Sequence, residues 1–317
     1  MPSSLNKLAT WLWPAPPGAV GLGISGNRIA AVRVGRIGDG YCVTHVAEEC
    51  LPFMPFRDAM PRAKDSVILA EAIQRLALAV PQGHWPLQIA LPDPAAIFQV
   101  MEFDSLPGTA HERAAIARFR LEKEWPAVAQ MECAFQVLNE EKGRSMLLAL
   151  AIQRSWLDCL RDGCRAAGFV PNITDITVNH IFNRFHDVIS ASADDGALIS
   201  IEPDTWSILF WDHAHRPRFV RNRWRDTGSE KGAGYEGIAQ DVERMVRAYV
   251  LASHGRKING IFLCSDETER EPFAERLNAR MRMPCIHLDM TEGFSVAPDI
   301  LIRGISPGVL AAAIPRL

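Results

Sequence analysis

The stretch Ala19–Val34, AVGLGISGNRIAAVRV, decides the fold because it predicts a tight β-hairpin. Apolar residues alternate along 20–24, and a second mainly apolar strand follows over 29–34. Between the two strands, Gly26 and Asn27 supply the positive φ angles that a two-residue turn requires. This hairpin is the unit with which the rest of the chain can be compared.

The hairpin pattern recurs once, about halfway along the chain, as Ala197–Trp211 (ALISIEPDTWSILFW). Aligning Ile24 with Ile201, 177 positions later, superposes strand, turn and strand without a gap. The turn of the second copy then falls on Pro203 and Asp204. The recurrence indicates an internal duplication.

The elements that follow the two hairpins also match. Each hairpin precedes a predicted strand, a predicted helix and a predicted buried strand. These elements span 41–50, 65–80 and 87–91 after the first hairpin, and 218–224, 235–254 and 258–264 after the second. Two β-β-β-α-β units predict a duplicated α/β architecture with a cleft between its halves.

The composition is that of an ordinary globular protein. Of 317 residues, 48% are hydrophobic and 22% are charged, and a formal net charge of −3 gives no general attraction to nucleic acid or anionic lipid. The seven cysteines are odd in number and scattered, which favours a reducing compartment over a disulfide framework. No apolar run reaches the ~18 residues of a membrane span, and the N-terminal pattern is too interrupted for a secretory signal. We therefore expect a cytosolic protein.

We predict three segments along the chain. Residues 1–18 form an N-terminal helix and linker, 19–190 the first half and 191–317 the second half. A small α+β subdomain, with three or more strands and one helix, is inserted into the first half at about 86–153. Leucines at helical spacing and tryptophans over 4–12 predict an amphipathic helix. It is either a terminal helix packed on its own domain or an interfacial, partner-binding helix, and the sequence leaves both open.

Two further patterns have both a functional and a structural interpretation. Arginines crowd the third strand of the second half, at Arg216, Arg218, Arg221, Arg223 and Arg225. They fall on both strand faces, which favours an exposed or partner-facing hairpin over a nucleic-acid contact. Cys285 and His287 have a spacing that could chelate a metal, but no second pair stands nearby in sequence, so core packing is the preferred interpretation.

The order of these elements resembles the actin-like ATPase fold, a duplicated ribonuclease H-like fold, and within it the pilus-assembly proteins of the PilM type. The resemblance covers nearly the whole chain, and it depends on the order of short motifs rather than on any one of them. These motifs are the hairpin Gly21–Val34, LPDPAAIF at 91–98, LEKEWP at 121–126, LLALAIQRSWLDCLRDGCRAAGF at 147–169, PRFVRNR at 217–223 and GVLA at 308–311. Degenerate relatives serve mannose-sensitive-haemagglutinin-type pili, and the cytoplasmic domain of the type II secretion L protein has the same fold.

The resemblance implies a nucleotide cleft in which two β-hairpins clamp the phosphates and an acidic residue positions Mg²⁺. Active members carry aspartate at the position of Gly23, glycine at that of Ser25 and a lysine-like residue near Ala30. Their second hairpin carries aspartate and glycine where this chain has Ser200 and Glu202. The degenerate cleft positions are therefore Gly21, Gly23, Ser25, Gly26, Asn27, Ser200, Glu202, Ser265 and Asp266.

Several departures coincide in this cleft. The glycine pair that lets adenosine approach the backbone is replaced by Ser265 and Asp266. No carboxylate stands at Gly23 or Ser200 to hold a metal, and Glu202 would place a like charge near phosphate, which costs about 4 kcal/mol at ~4 Å and an effective dielectric near 20. We expect no catalytic residue, no metal ligand and no cofactor. The alternative is ATP with Mg²⁺, with Glu202 or Asp266 substituting for the missing acids.

Two functions of different class follow from the resemblance. The first is a pseudo-ATPase scaffold of a type IV pilus, or a related secretion system, that is cytoplasmic and peripheral to the inner membrane. It would bind the N-terminal cytosolic tail of a bitopic membrane protein in a groove of the first half, near the inserted subdomain. An assembly ATPase, a platform protein and a second copy of the chain are further partners that the resemblance allows, whereas nucleic acid is not expected. The second function is an active ATPase or small-molecule kinase of the actin-like superfamily.

Overall fold

The computed structural model describes most of the chain. The described residues are 18–37, 40–83, 85–106, 108–141, 144–191, 194–225, 233–253, 255–265, 267–281, 283, 285–302 and 304–314. The predicted helix at 4–12 lies outside them. Among the described helices, none combines the length and the apolar character that crossing a membrane requires.

The described residues form fourteen β-strands in three sheets, together with eight α-helices. The strands are β1 (Gly18–Ser25), β2 (Arg28–Ile37), β3 (Gly40–Cys50), β4 (Leu87–Leu91), β5 (Ala96–Phe103), β6 (Met131–Glu141), β7 (Arg144–Gln153), β8 (Pro171–Ile176), β9 (Asp195–Ile201), β10 (Thr205–Trp211), β11 (Pro217–Trp224), β12 (Ile258–Ser265), β13 (Cys285–His287) and β14 (Phe294–Val296). The helices are α1 (Ala63–Ala79), α2 (Ala110–Glu124), α3 (Arg154–Ala166), α4 (Thr177–Arg184), α5 (His186–Ser190), α6 (Ala233–Ala252), α7 (Glu267–Met281) and α8 (Pro307–Ala313).

The first sheet has the strand order β14-β3-β2-β1-β4-β8. β1 and β2 are antiparallel, with Ser25 opposite Arg28 across the turn, and β4 runs parallel to β1 with Gln88 beside Gly21. α1 packs against α3 and contacts β2 and β3, while α8 packs against α4 and contacts β1 and β4. The predicted hairpin therefore lies at the centre of this sheet.

The second sheet has the order β11-β10-β9-β12-β13, which repeats the order β3-β2-β1-β4 of the first sheet. β9 and β10 are antiparallel, with Ile201 opposite Trp206, and β12 runs parallel to β9 with Leu263 beside Ile199. One face of this sheet forms a core of its own that includes Phe273 of α7, whereas the other face, with Leu198 and Phe262, joins the core of the first sheet. Because the order and the directions of four strands recur, the predicted duplication and the α/β fold class are confirmed.

A third, smaller sheet lies within the predicted insertion at 86–153. It has the order β5-β7-β6 and forms its own apolar core with α2, whose Leu121 is fully buried. α2 begins with a capping box, in which the Thr109 hydroxyl accepts from the Glu112 backbone N–H at 3.2 Å. β4, at the start of the predicted insertion, belongs instead to the first sheet.

The end of the chain returns to the first sheet. β14 pairs with β3, where Phe294 lies opposite Tyr41, and α8 packs against β1 and β4. Both elements lie in the sequence range 191–317 that we assigned to the second half. The boundaries of the halves stay predictions, but the last helix contributes to the core of the first sheet.

Two parts of the prediction before residue 190 differ from the structure. The apolar pattern over 175–189 predicts one helix, whereas the structure has two, α4 and α5, which are divided at Phe185. The strand β8, which precedes them, gives no clear pattern because it lies at an edge of the sheet and its residues, apart from the buried Ile176, are polar or only partly buried. Apolar periodicity is weak in such a strand.

Candidate functional site

The turns of the two hairpins meet at the predicted cleft. Gly26 has a φ of 60°, and a Cβ at this position would lie 3.3 Å from Cγ of Asp204 in the second turn. Asn27 points elsewhere, because its side-chain amide donates to the carbonyl oxygen of Leu51 at 3.2 Å. Gly26 therefore faces the cleft, whereas Asn27 fixes the segment that follows β3.

Glu202 joins the two halves at the centre of the cleft. Its side chain is 3% exposed, and its Oε2 accepts a hydrogen bond from the Ser25 hydroxyl at 3.1 Å. Its Oε1 accepts from the Ser306 hydroxyl at 2.8 Å and from the Gly308 backbone N–H at 3.4 Å. Glu202 thus binds the first hairpin on one side and the start of α8 on the other.

The charge of Glu202 is suppressed by its surroundings. Burial raises the pKa of this carboxyl to about 8, although the hydrogen bonds from Ser306, Gly308 and Ser25 act to lower it. The side chain is therefore mostly protonated near neutral pH. A neutral carboxyl whose oxygens already accept hydrogen bonds is a poor ligand for Mg²⁺.

The first residues of α8 occupy the space beside the first hairpin. A Cβ at Gly23 would lie 2.3 Å from Cγ2 of Val309, and a Cβ at Gly21 would lie 2.4 Å from the backbone oxygen of the same residue. Ser306 caps this helix and Pro307 stands at its first position, two strong local signals for a helix start. The position at which active actin-like ATPases, which the sequence resembles, carry an aspartate is thus filled by a valine from a distant part of the chain.

The remaining predicted positions lie in strand interiors or outside the described residues. Ser200 is 1% exposed, and its hydroxyl has no hydrogen-bond partner among the described residues. Ser265 ends β12 beside Ile201 and is also buried. Asp266 lies outside the described residues. The structure therefore brings together Gly23, Ser25, Gly26 and Glu202, while Gly21 lies beneath α8.

Two buried acids near this junction were not predicted as site residues. Asp204 is 2% exposed beside Gly26, and burial raises its pKa above the ordinary value. Asp93, directly after β4, is 1% exposed, and burial raises its pKa to about 7. Its Oδ1 accepts from the Val178 backbone N–H at 2.8 Å, and its backbone oxygen accepts from the Asn222 side chain at 2.9 Å. Asp93 therefore connects the first sheet to α4 and to β11.

The arginine-rich strand β11 lies against the inserted subdomain. Arg218 forms an ion pair with Glu102 of β5 at 2.5 Å, and Arg216 pairs with the buried Asp212 at 3.2 Å. The prediction of an exposed strand agrees with Arg221 and Arg223, which are exposed on β11 at the edge of the sheet, whereas Arg216 and Arg218 are partly buried in ion pairs within the chain. Phe219, directly after Arg218, is 44% exposed.

The residues of the cleft do not fit a magnesium nucleotide. The cavity lined by Gly23, Ser25, Glu202 and Val309 has a volume of about 20 Å³, which is room for one or two water molecules. Within the part of the chain that the structure describes, no group of three or more His, Cys, Asp or Glu side chains is arranged to hold a metal ion. Among the described residues of this cavity, the space is too small for a phosphate group, and the largely neutral Glu202 brings little charge for Mg²⁺.

Comparisons with known proteins agree with this architecture. No protein-family model matches the chain, and no curated protein sequence matches it. Solved structures do match. A chain of the PilM–PilN type IV pilus biogenesis complex superposes with a TM-score of 0.73 and 16% identity over 93% of this chain and 96% of that one. A protein of Bacteroides thetaiotaomicron with an actin-like ATPase fold and unknown function gives a TM-score of 0.54 and 8% identity, over 86% and 91% of the two chains.

These matches establish the class of fold. The chain has the actin-like ATPase fold, in agreement with the resemblance found in the sequence. Within this class its architecture is PilM-like, because the match to the PilM–PilN structure spans nearly all of both chains. A weaker match is the cytoplasmic domain of EpsL, an inner-membrane component of the type II secretion system of Vibrio cholerae, with a TM-score of 0.46 and 13% identity over 92% of both chains.

Proposed function

We propose that this protein is a non-catalytic adaptor of a type IV pilus assembly platform. The observation that carries the proposal is the position of Val309, which fills the space where active relatives hold an aspartate. Glu202 supports it, since its carboxyl is buried and hydrogen bonded to Ser25 and Ser306. Phosphoryl transfer depends on positioned phosphates and on metal charge, and this cleft offers neither.

The adaptor acts through its surface rather than through chemistry. The likeness to a chain of the PilM–PilN complex supports a partner of the same kind, namely the N-terminal cytosolic tail of a bitopic membrane protein. In this proposal the protein lies in the cytoplasm, peripheral to the inner membrane, and is held there by its partner. The competing function, an ATPase or a small-molecule kinase, requires Glu202 to be ionised and α8 to leave the cleft.

The inserted subdomain has a groove that suits an extended tail. Among the described residues β6 pairs only with β7, so its other edge presents free backbone N–H and C=O groups. A groove of about 280 Å³ runs between this strand and α2, where small side chains such as Ala114, Ala117 and Ala134 leave room. An extended peptide that adds to β6 would gain backbone hydrogen bonds and place alternate side chains in the groove.

Binding of tail peptides tests this function. We expect peptides from the cytosolic tails of bitopic pilus proteins to bind the wild-type chain, measured by calorimetry or pull-down, with the same affinity whether or not Mg·ATP is present. Ala114→Arg, on the face of α2 that lines the groove, places a long charged side chain in it and is expected to weaken binding roughly tenfold or more. Ala166→Arg, at the exposed end of α3, is the matched control and should bind normally.

The outcomes separate the adaptor from its alternatives. Failure of every such tail to bind would contradict the adaptor function. Equal binding by the Ala114→Arg and Ala166→Arg variants would place the tail away from the groove between β6 and α2. Binding that appears only with Mg·ATP would favour an active nucleotide switch.

A further inference from the structure

A second cavity, of about 390 Å³, lies at the opposite end of α8 from Glu202. It is bounded by α4, by the end of α8 and by the first sheet. Polar side chains line one part of it, namely Gln88, His180, Asn183 and Arg184, and apolar side chains, including Phe294 and Ile314, line another. Its volume is within the range typical of small-molecule sites.

Arg184 brings a positive charge to this cavity. One of its terminal nitrogens donates to the backbone oxygen of Glu292, while its Nε–H is buried and has no acceptor among the described residues. Burial lowers the pKa of Arg184, although the nearby Glu292 carboxylate acts in the opposite direction. A half-buried guanidinium whose Nε–H has no acceptor is costly unless an anion is bound beside it.

Two side-chain amides in the cavity also lack partners. Gln88 is 6% exposed in the middle of the otherwise apolar strand β4, and its amide makes no hydrogen bond to any described residue. Asn183, one residue before Arg184, likewise has no side-chain hydrogen bond within the described part of the chain. Buried amides in proteins normally have partners, so Gln88 is available to a ligand, and the half-buried Asn183 lies beside it in the lining of the cavity. His180 is occupied on one side, with its Nε2 3.0 Å from the backbone oxygen of Ile89.

We propose that this cavity binds a small organic acid. Its carboxylate would accept hydrogen bonds from the guanidinium of Arg184 and the amides of Gln88 and Asn183, and its apolar body would contact Phe294 and Ile314. A carboxylate fits better than a phosphate because its single charge matches the one guanidinium and its planar oxygens suit a guanidinium fork. Asp187 at the mouth of the cavity is 99% exposed, so water and salt screen its charge and it repels a singly charged carboxylate only weakly. It would repel a doubly charged phosphate more strongly.

Calorimetric titration of the full chain tests this site with three probes. Benzoate carries a carboxylate on an apolar ring, benzamide is its neutral counterpart of the same shape, and inorganic phosphate is an anion without an apolar body. We expect benzoate to bind at concentrations up to about 10 mM, where a Kd near 1 mM is measurable. Benzamide and phosphate are expected to bind at least tenfold more weakly.

Variants assign the binding to the cavity. Arg184→Leu is expected to lower benzoate affinity about 10- to 100-fold, because it removes a charge-assisted hydrogen bond. Arg165→Leu is the matched control: Arg165 is 77% exposed on α3, pairs with Asp162, and should bind benzoate as the wild type does. Gln88→Leu removes a buried amide that has no partner, so it should fold normally and lower the affinity roughly three- to tenfold.

Three results would overturn the proposal. The first is no benzoate binding in this concentration range. The second is equal binding of benzoate and benzamide, or tighter binding of phosphate. The third is benzoate binding that survives both Gln88→Leu and Arg184→Leu. The tail-binding experiment addresses a different surface, so either proposal can fail without the other.

Discussion

Replacing Glu202 by glutamine should change how the stability of the protein depends on pH. Glutamine has nearly the same shape and is neutral at every pH. Its side-chain oxygen can still accept from Ser306 and Gly308, and its amide can donate to the Ser25 hydroxyl. The substitution therefore removes the titration of Glu202 and preserves the contacts between the first hairpin and α8.

The size of the effect follows from the pKa of Glu202, which rises from an ordinary 4.5 to about 8 on folding. A folded state with the higher pKa retains a proton that the unfolded chain releases, so the stability from this group is complete below pH ~4.5 and is lost as pH rises through about 8. Between pH 5 and pH 9 the loss is on the order of 4 kcal/mol. Asp93, with a pKa of about 7, also makes the protein less stable as pH rises, mainly below pH 7. The wild type and the Glu202→Gln variant share this contribution, so it does not affect their difference.

Urea unfolding at several pH values measures this difference. We expect the wild type to lose stability between pH 5 and pH 9 and Glu202→Gln to lose about 4 kcal/mol less over the same range. Glu71→Gln, at an exposed position on α1, is the control and should follow the wild-type curve. Parallel curves for wild type and Glu202→Gln would show that Glu202 is ionised in the folded protein and would refute this account of the cleft.

Contacts around α8 and α3 give further predictions. Gly23→Asp should reduce the free energy of unfolding by ~3 kcal/mol, because its Cβ would meet Val309 at 2.3 Å, and Val309→Ala in the same chain should recover part of this loss in urea unfolding. The stability that Gly21→Ala loses should not be recovered by Val309→Ala, because the new Cβ would meet the backbone oxygen of Val309, which that substitution leaves in place. Recovery in this double variant would contradict the geometry. Trp156→Ala should cost about 3–5 kcal/mol and Trp156→Phe only ~1 kcal/mol, because the phenyl ring loses mainly the hydrogen bond to the Asp58 backbone oxygen, and equal losses would contradict this.

The sequence predicted the hairpins and the duplication because their signals are local. The Gly26-Asn27 turn and the alternating strands around it depend on neighbouring residues alone, and the second copy at Ala197–Trp211 repeats the pattern. The absence at Gly23 of the aspartate that the resemblance to active actin-like ATPases implies was also visible in sequence. These features gave the fold class correctly.

The contacts that occupy the space beside Gly23 were not visible in sequence, since they join distant parts of the chain. Val309 meets Gly23, and Ser306 meets Glu202 across 104 positions, only after α8 returns to the first sheet. Asp204 was not predicted as a site residue because aspartate is common in β-turns, so its place in the second turn gave no reason to assign it a further role. The polar Gln88 in a buried strand was the one local signal of the second cavity.

Calorimetric titration of the full chain with Mg·ATP tests the central claim most directly. Because Val309 fills the cleft and Glu202 is largely protonated, we predict no saturable heat of binding at nucleotide concentrations near ~1 mM. We also predict no rise in thermal stability, whereas a ligand present at about 100 times its Kd would add about 2.7 kcal/mol to the free energy of unfolding. Saturable binding that requires Mg²⁺ and is weakened by Glu202→Ala would contradict it.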